Sequence, residues 1–172
     1  QRVEMLRELR DYADRPRGRA CRYPAVIAML EEAGEPGEAL AFARALADEA
    51  PLQARAQLLL ARLELRTGNA PKAALDLEAF LFHSADRAAA WREVASVYAE
   101  LGRGREACVA LGRALAFQGG AHRPTLLALG SCLLASGQRA AGDEALARFL
   151  ELSPPWERTR ARRRVAAAYA GA

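Results

Sequence analysis

Apolar residues in segment 88–121 recur with the period of an α-helix and are interrupted once, at Gly102–Gly104. Before the interruption they are Trp91, Val94, Ala95, Tyr98 and Leu101, and after it Ala107, Leu111, Ala114 and Leu115. Two such sets joined by a glycine break predict two antiparallel helices connected by a tight turn. Gly102 is expected to take the positive φ that ends the first helix.

The same pattern returns along the chain at a nearly constant interval. Steps of 34 residues back from Gly102 reach Gly68 and Gly34, and a step of 35 residues forward reaches Gly137. A small residue follows each glycine after five positions, and these are Ala39, Ala73, Ala107 and Gly142. Seven positions further on stand Leu46, Phe80, Ala114 and Phe149, and the units close at Pro51, Ala85, Gly119 and Pro154. The chain is therefore predicted to consist of helix-pair repeats.

The order of residue types, Trp, Val-Ala, Tyr, Gly and then Ala, resembles the tetratricopeptide repeat, a helix pair of 34 residues. Sel1-like, HEAT and armadillo repeats are longer, and the intervals of 34, 34 and 35 residues argue against them. The resemblance implies an all-α fold, a right-handed superhelical solenoid. Repeat two departs from the family by placing Glu64 where Tyr is usual, which is expected to weaken one packing contact.

The repeat register divides the whole chain as a single array. We assign 1–19 to the second helix of a truncated preceding repeat, and 157–172 to the first helix of a following repeat or to a capping helix. Between them lie four complete repeats, 20–53, 54–87, 88–122 and 123–156. Each terminal half repeat leaves an apolar face uncovered, so self-association through these ends is a further expectation. Because Gln1 starts the sequence without an initiator Met, a basic start or an apolar export core, we expect a fragment of a longer protein.

Composition adds three restraints. Hydrophobic residues make up 52% of the 172 residues, but aromatic residues only 6%, and the abundance of alanine favours close helix packing over a bulky core. No run approaches the roughly 18 apolar residues that span a bilayer, so membrane insertion of this segment is not expected. The net charge of +4 comes almost wholly from arginine, with Lys72 the only lysine, a bias typical of a high-GC bacterial coding sequence.

The three cysteines, Cys21, Cys108 and Cys132, show neither metal-site spacing nor a CxxC pair. We interpret them as small packing residues. The alternative is a disulfide between Cys108 and Cys132, because the helices of consecutive repeats should pack together. Three unpaired thiols favour a cytoplasmic location, with the periplasm as the other compartment considered.

In tetratricopeptide proteins the first helix of each pair forms the concave wall, where a partner segment binds. The resemblance carries this role to nine residues: Arg55, Leu58, Arg62, Arg66, Arg92, Ser96, Leu127, Ser131 and Leu134. Guanidinium groups hold carboxylates bidentately, so we predict binding of an acidic or C-terminal peptide by the arginines, which would cluster beside an apolar floor. A solvated face is the alternative. The first repeat has Pro24 and Ala28 where the two-carboxylate clamp of chaperone-binding relatives needs Lys and Asn, so a chaperone tail is not favoured.

Other chemistry finds little support. His83, Ser84 and Asp86 are too crowded in one link to act as a catalytic triad, and we expect His83 at a helix end and Asp86 as an N-cap. His122 is expected near a helix start, and two isolated histidines predict no metal site and no cofactor. The arginines between Arg158 and Arg164 lack interleaved aromatics apart from Trp156 at the edge, so an outer helix face is favoured over nucleic-acid binding.

These observations predict a non-enzymatic scaffold that binds a protein or peptide partner. The alternative from another class is a structural segment of a larger bacterial envelope complex, such as exopolysaccharide or protein secretion machinery. In that case the array would space and orient neighbouring modules.

Overall fold

A computed structural model describes residues 2–13 and 19–171, with side chains for 4–12 and 22–171. These residues form α-helices and one 3₁₀ turn, Pro155–Glu157, and none of them lies in a β-strand. The helices are α1 (Arg2–Ala13), α2 (Arg19–Glu32), α3 (Pro36–Glu49), α4 (Ala54–Arg66), α5 (Ala70–His83), α6 (Arg87–Glu100), α7 (Gly104–Phe117), α8 (Arg123–Ala135), α9 (Arg139–Glu151) and α10 (Arg158–Ala170). No helix within this part of the chain is long and apolar enough to cross a membrane.

The chain divides into two compact units. The first unit is Gln1–Ser84 and contains α1 to α5, and the second unit is Ala85–Ala172 and contains α6 to α10. Helix pairs α2/α3 and α4/α5 pack within the first unit, and α6/α7 and α8/α9 within the second. The predicted boundaries between repeats stay predictions. The helix bounds define which helices form pairs, but they do not define the residue at which one repeat ends and the next begins.

Glycine ends the first helix of each pair. Gly102 has a φ of 69°, and its counterparts Gly34, Gly68 and Gly137 also have positive φ values, which confirms the expected conformation. After α6 the Arg103 N–H donates to the Tyr98 carbonyl at 2.8 Å, and the Gly102 N–H donates to the Ala99 carbonyl at 3.0 Å. This pair of bonds satisfies carbonyls that the helix end would otherwise leave open.

The core of the first unit joins large residues on one helix to alanines on the next. Tyr23, Val26, Ile27 and Leu30 of α2 are buried against α3, which contributes its smaller side chains, Ala39, Ala43 and Ala47. Because alanine adds little bulk, the two helix axes approach closely. This packing agrees with the alanine-rich composition.

Position 64 differs from the expectation of a weakened contact. Glu64 is 1% exposed, and its Oε1 accepts hydrogen bonds from Arg44 Nη2 at 2.6 Å and from Arg44 Nε at 3.2 Å. An ion pair from α3 to α4 thus occupies the place where the family has a tyrosine. Glu64 Oε2 has no hydrogen-bond partner among the residues that the structure describes, so within them the carboxylate depends on this one arginine for its compensation.

In the second unit, α8 and α9 meet at two glycines. A Cβ atom added to Gly130 would lie 2.6 Å from Leu146 Cγ, and one added to Gly142 would lie 2.9 Å from Leu134 Cγ. Both distances are too short for carbon atoms in contact. The small residue expected at position 142 is therefore required by the close approach of these helices.

A disulfide joins Cys108 of α7 to Cys132 of α8, with their Cα atoms 5.6 Å apart. The interpretation of these two cysteines as unpaired packing residues is wrong, and the alternative of a bond between consecutive repeats is the one observed. The argument for a cytoplasmic location from three unpaired thiols therefore fails. The side chain of Cys21 lies outside the described residues.

Candidate partner-binding site

A cleft of about 930 Å³ opens on the second unit. Helix α6 supplies Arg92 and Ser96 to its wall, and α8 supplies Leu127 and Ser131, so four of the predicted wall residues line it. They line the same cavity because α6 and α8, the first helices of two consecutive repeats, both pack against α7 and both contribute to the cavity wall. We name this cavity the cleft.

Small side chains make up most of the remaining wall. They come from α6, α7, α8 and α10 and from the residue that follows α10, and they include Ala95, Ala99, Gly104, Ala107, Ala128, Ala135, Ala167, Ala168 and Gly171. Such residues leave room for the backbone of a bound segment to approach the helices closely, as glycine and alanine do between packed helices. The cleft is accordingly a broad apolar surface with few polar groups.

The charged groups of the cleft are cationic. Among the described residues that line it, Arg92 and Arg164 are the only charged ones. No hydrogen bond or ion pair of Arg92 occurs within the described part of the chain, whereas Ser131 Oγ donates to the Leu127 carbonyl at 2.9 Å. The Arg92 guanidinium is therefore available to a carboxylate, and Ser131 offers an oxygen acceptor. Arg164 was not among the predicted site residues.

Leu134 lies apart from the other predicted residues of α8. Its side chain is 8% exposed and packs toward Gly142 of α9, so it belongs to the core between the two helices. The glycine at position 142 is what draws it inward, since a larger residue there would fill that space. Leu134 is thus a structural residue and not part of the cleft wall.

Four predicted residues, Arg55, Leu58, Arg62 and Arg66, belong to α4 of the first unit. Arg62 and Arg66 both bind Glu31 of α2: Arg66 Nη1 lies 2.5 Å from Glu31 Oε1, and Arg62 Nη2 donates to Glu31 Oε2. One carboxylate thus compensates part of the charge of two arginines. Arg55 is exposed and Leu58 is half-buried. The clustering of these arginines with Arg92 stays a prediction.

The sequence analysis did not predict the pairing of Glu31 with Arg62 and Arg66. The available signal was spacing, because Arg66 follows Glu31 by 35 residues, about one repeat. Residues one repeat apart occupy neighbouring first helices. A glutamate and an arginine at that separation are therefore candidates for an ion pair across the wall.

The residues of the supposed triad have structural roles. Asp86 caps α6, its Oδ1 accepting from the Ala89 N–H at 2.9 Å, and Ser84 Oγ donates to the Phe80 carbonyl at 2.6 Å. His83 is the last residue of α5. His122 precedes α8, where its Nδ1 lies 2.9 Å from the hydroxyl of the buried Thr125. No group of three or more His, Cys, Asp or Glu side chains suited to a metal ion occurs in the described ranges.

Solved structures similar to this chain are tetratricopeptide proteins. MamA from Desulfovibrio magneticus shares 16% identity over 88% of this chain and 94% of that one, with a TM-score of 0.53. YrrB, described as a TPR protein with an unusual peptide-binding site, shares 19% over 88% of this chain and 76% of its own, with a TM-score of 0.51. A kinesin light chain protein with TPR-like repeats from Podospora anserina shares 18% over 89% and 86%, with a TM-score of 0.58.

No protein-family model and no curated protein sequence matches the chain. The identities to the solved structures are all below 25%, so the likeness establishes the fold. It confirms the predicted fold class, an all-α solenoid of tetratricopeptide helix-turn-helix repeats.

Proposed function

We propose that the chain is a non-enzymatic scaffold that binds a segment of a protein partner in the cleft. The observation that carries this proposal is an accessible apolar wall of small residues bordered by two arginines, Arg92 and Arg164. An apolar groove with a few placed polar groups is the usual form of a peptide site. The peptide-binding site of YrrB, a protein of the same fold, supports the same kind of ligand.

The charge of the cleft favours an acidic segment. Arg92 has no carboxylate partner within the described residues, and a charge-assisted hydrogen bond from it contributes about 1.5–3 kcal/mol, or roughly tenfold to a hundredfold in affinity. Arg62 and Arg66 already bind Glu31, so a ligand must compete with that carboxylate for them. The proposed order of importance for an acidic partner is therefore Arg92 before Arg62 or Arg66.

Fluorescence anisotropy with a panel of acidic peptides, amidated and free at the C-terminus, tests the proposal. We expect Arg92→Ala to weaken the best peptide by about tenfold, and Arg62→Ala to weaken it less. Arg105→Ala is the matched control, since Arg105 is exposed in the second unit and does not line the cleft. If Arg92→Ala and Arg105→Ala had equal effects, the binding site would not be the cleft.

The disulfide favours a second proposal, a structural segment of a bacterial envelope assembly. Structural disulfides persist mainly in oxidising compartments such as the periplasm, and Cys108 and Cys132 are bonded. In this role the array spaces neighbouring modules and associates through its terminal helices. Thiol labelling of cells denatured in acid without a reductant distinguishes the locations: unfolding exposes the buried Cys108, and in a cytoplasmic protein both cysteines would label, whereas in a periplasmic one the bond would protect both. Light scattering across concentration tests self-association.

A further inference from the structure

A smaller cavity of about 190 Å³ lies beside the cleft in the second unit. We name it the anion pocket and define it by Arg123 at the start of α8, Phe149 of α9, Glu157 before α10, and Arg160 and Arg164 of α10. Three guanidinium groups face one carboxylate. None of these five residues belongs to the predicted wall.

Phe149 and Glu157 hold two of the arginines in place. The guanidinium carbons of Arg123 and Arg164 lie 5.5 and 6.0 Å from the centre of the Phe149 ring, and Arg123 Nη2 lies 2.6 Å from Glu157 Oε2. Because these contacts restrict the side chains before any ligand arrives, binding costs less conformational entropy. The pocket is thus preorganised around the ring.

The charges of the pocket do not balance. Glu157 compensates Arg123, while neither Arg160 nor Arg164 has an ion-pair partner among the described residues. In addition, the buried Arg123 Nε has no hydrogen-bond acceptor in the described ranges, and leaving a buried donor unsatisfied is unfavourable. The three arginines against one glutamate leave a formal excess of two positive charges.

The N-terminal ends of two helices add to the excess of positive charge in the anion pocket. Arg123 is the first residue of α8 and Arg160 lies in the first turn of α10, and neither first turn contains an acidic residue. The N-terminal end of a helix carries a partial positive charge that favours anions and disfavours cations. Glu157, the N-cap residue of α10, supplies one negative charge between these two ends, and a bound anion would compensate the remaining positive charge.

From these observations we propose that the anion pocket binds the dianion of a phosphate monoester. A doubly charged oxyanion matches the excess charge, and its oxygens accept the N–H groups of guanidinium in paired hydrogen bonds. The cavity volume of about 190 Å³ leaves room for a phosphate group. Arg164 and Pro124 line both cavities, so a phosphorylated side chain of a segment in the cleft reaches the pocket.

Isothermal titration calorimetry with glycerol phosphate at pH 7.5 and constant ionic strength tests the site, with acetate as the monoanionic comparison. We expect one saturable site in the wild type, and a loss of at least about tenfold in affinity in both Arg160→Ala and Arg164→Ala. Arg162→Ala is the matched control, because Arg162 is equally exposed on α10 but does not line the pocket. Glu157→Gln removes the competing negative charge, while the amide oxygen can still accept a hydrogen bond from Arg123, so we expect this variant to bind more tightly.

Two further arms separate the source of the phosphate and the role of the cleft. A phosphoserine peptide that binds more tightly than glycerol phosphate identifies a phosphorylated partner segment, and equal affinities identify a small soluble ester. Arg92→Ala leaves glycerol phosphate binding unchanged even if it abolishes peptide binding, so the two proposals fail separately. Acetate binding as tightly as glycerol phosphate, or equal losses in Arg162→Ala and Arg164→Ala, would overturn the assignment of the pocket.

Discussion

The Arg44–Glu64 pair offers the sharpest test of how the first unit is held together. The Glu64 side chain is 2% exposed, whereas that of Arg44 is 46% exposed. Arg44→Met keeps the apolar stem and removes the one partner that Glu64 Oε1 has among the described residues, leaving the charge buried. Breaking a buried pair in this way costs about 3–5 kcal/mol, and the exposure of Arg44 places the expected loss near 3 kcal/mol.

Urea unfolding followed by circular dichroism at 222 nm measures this loss. Both tryptophans, Trp91 and Trp156, lie in the second unit, so fluorescence follows that unit alone and separates a local effect from a global one. The double variant Arg44→Met/Glu64→Met should recover most of the stability, because replacing both members of a buried pair by apolar residues is nearly neutral.

An exposed ion pair of the same unit provides the control. Arg10 Nη2 lies 2.5 Å from Glu38 Oε1, with side-chain exposures of 55% and 30%, so solvent screens the pair and Arg10→Met should change little. A loss in Arg44→Met no greater than that in Arg10→Met would refute the reasoning. It would mean that water compensates Glu64 in the folded protein.

Three further predictions concern other parts of the chain. Gly130→Ala should destabilise the second unit by about 1–3 kcal/mol through overpacking. Gly112→Ala is the control: an added Cβ there meets nothing within 4 Å, so this variant should stabilise the unit by about 0.5–1 kcal/mol. Equal effects of the two variants in thermal unfolding would contradict the close approach of α8 and α9. Burial, and to a smaller extent the charge of Glu64, raises the pKa of Asp76. The folded state therefore binds a proton more readily than the unfolded state does. Stability is expected to fall as the pH rises from the ordinary carboxyl pKa through the raised pKa of Asp76. Asp76→Asn should remove this pH dependence and be more stable than the wild type at pH 7. Urea titrations from pH 4 to 7 measure the stability of both proteins, and parallel curves of stability against pH would contradict the prediction. Reducing the Cys108–Cys132 bond, which spans 24 residues, should lower the stability of the second unit by about 3 kcal/mol, and an unfolding midpoint unchanged by dithiothreitol would contradict a stabilising bond.

The fold could be read from the sequence because its information is local and repeated. Each glycine such as Gly102 marks the end of a helix by conformational preference alone, and the interval of about 34 residues recurs often enough to exceed coincidence. The cap at Asp86 was predictable for the same reason, since an aspartate before a helix acts on the amides of its own first turn.

The site could be predicted only in part, because pairing depends on which residues of different helices meet. The repeat register predicted that Arg92, Ser96, Leu127 and Ser131 lie on the same wall, and all four line the cleft. Register could not show that Leu134 turns toward a glycine of α9. Such outcomes depend on packing between helices that are distant in the sequence, and a periodic pattern carries no signal for them.

The sequence by itself determined the helices, their pairing and the class of fold, because backbone preferences and apolar spacing act within one repeat. Only the tertiary structure decided that Glu31 binds two arginines, that Cys108 is bonded to Cys132, and that Arg123 and Arg164 lie against the Phe149 ring. The physical reason is the sequence distance over which each interaction acts. A charged group or a thiol meets its partner only where different helices pack together, so the identity of a side chain does not specify that partner until the helices are in place.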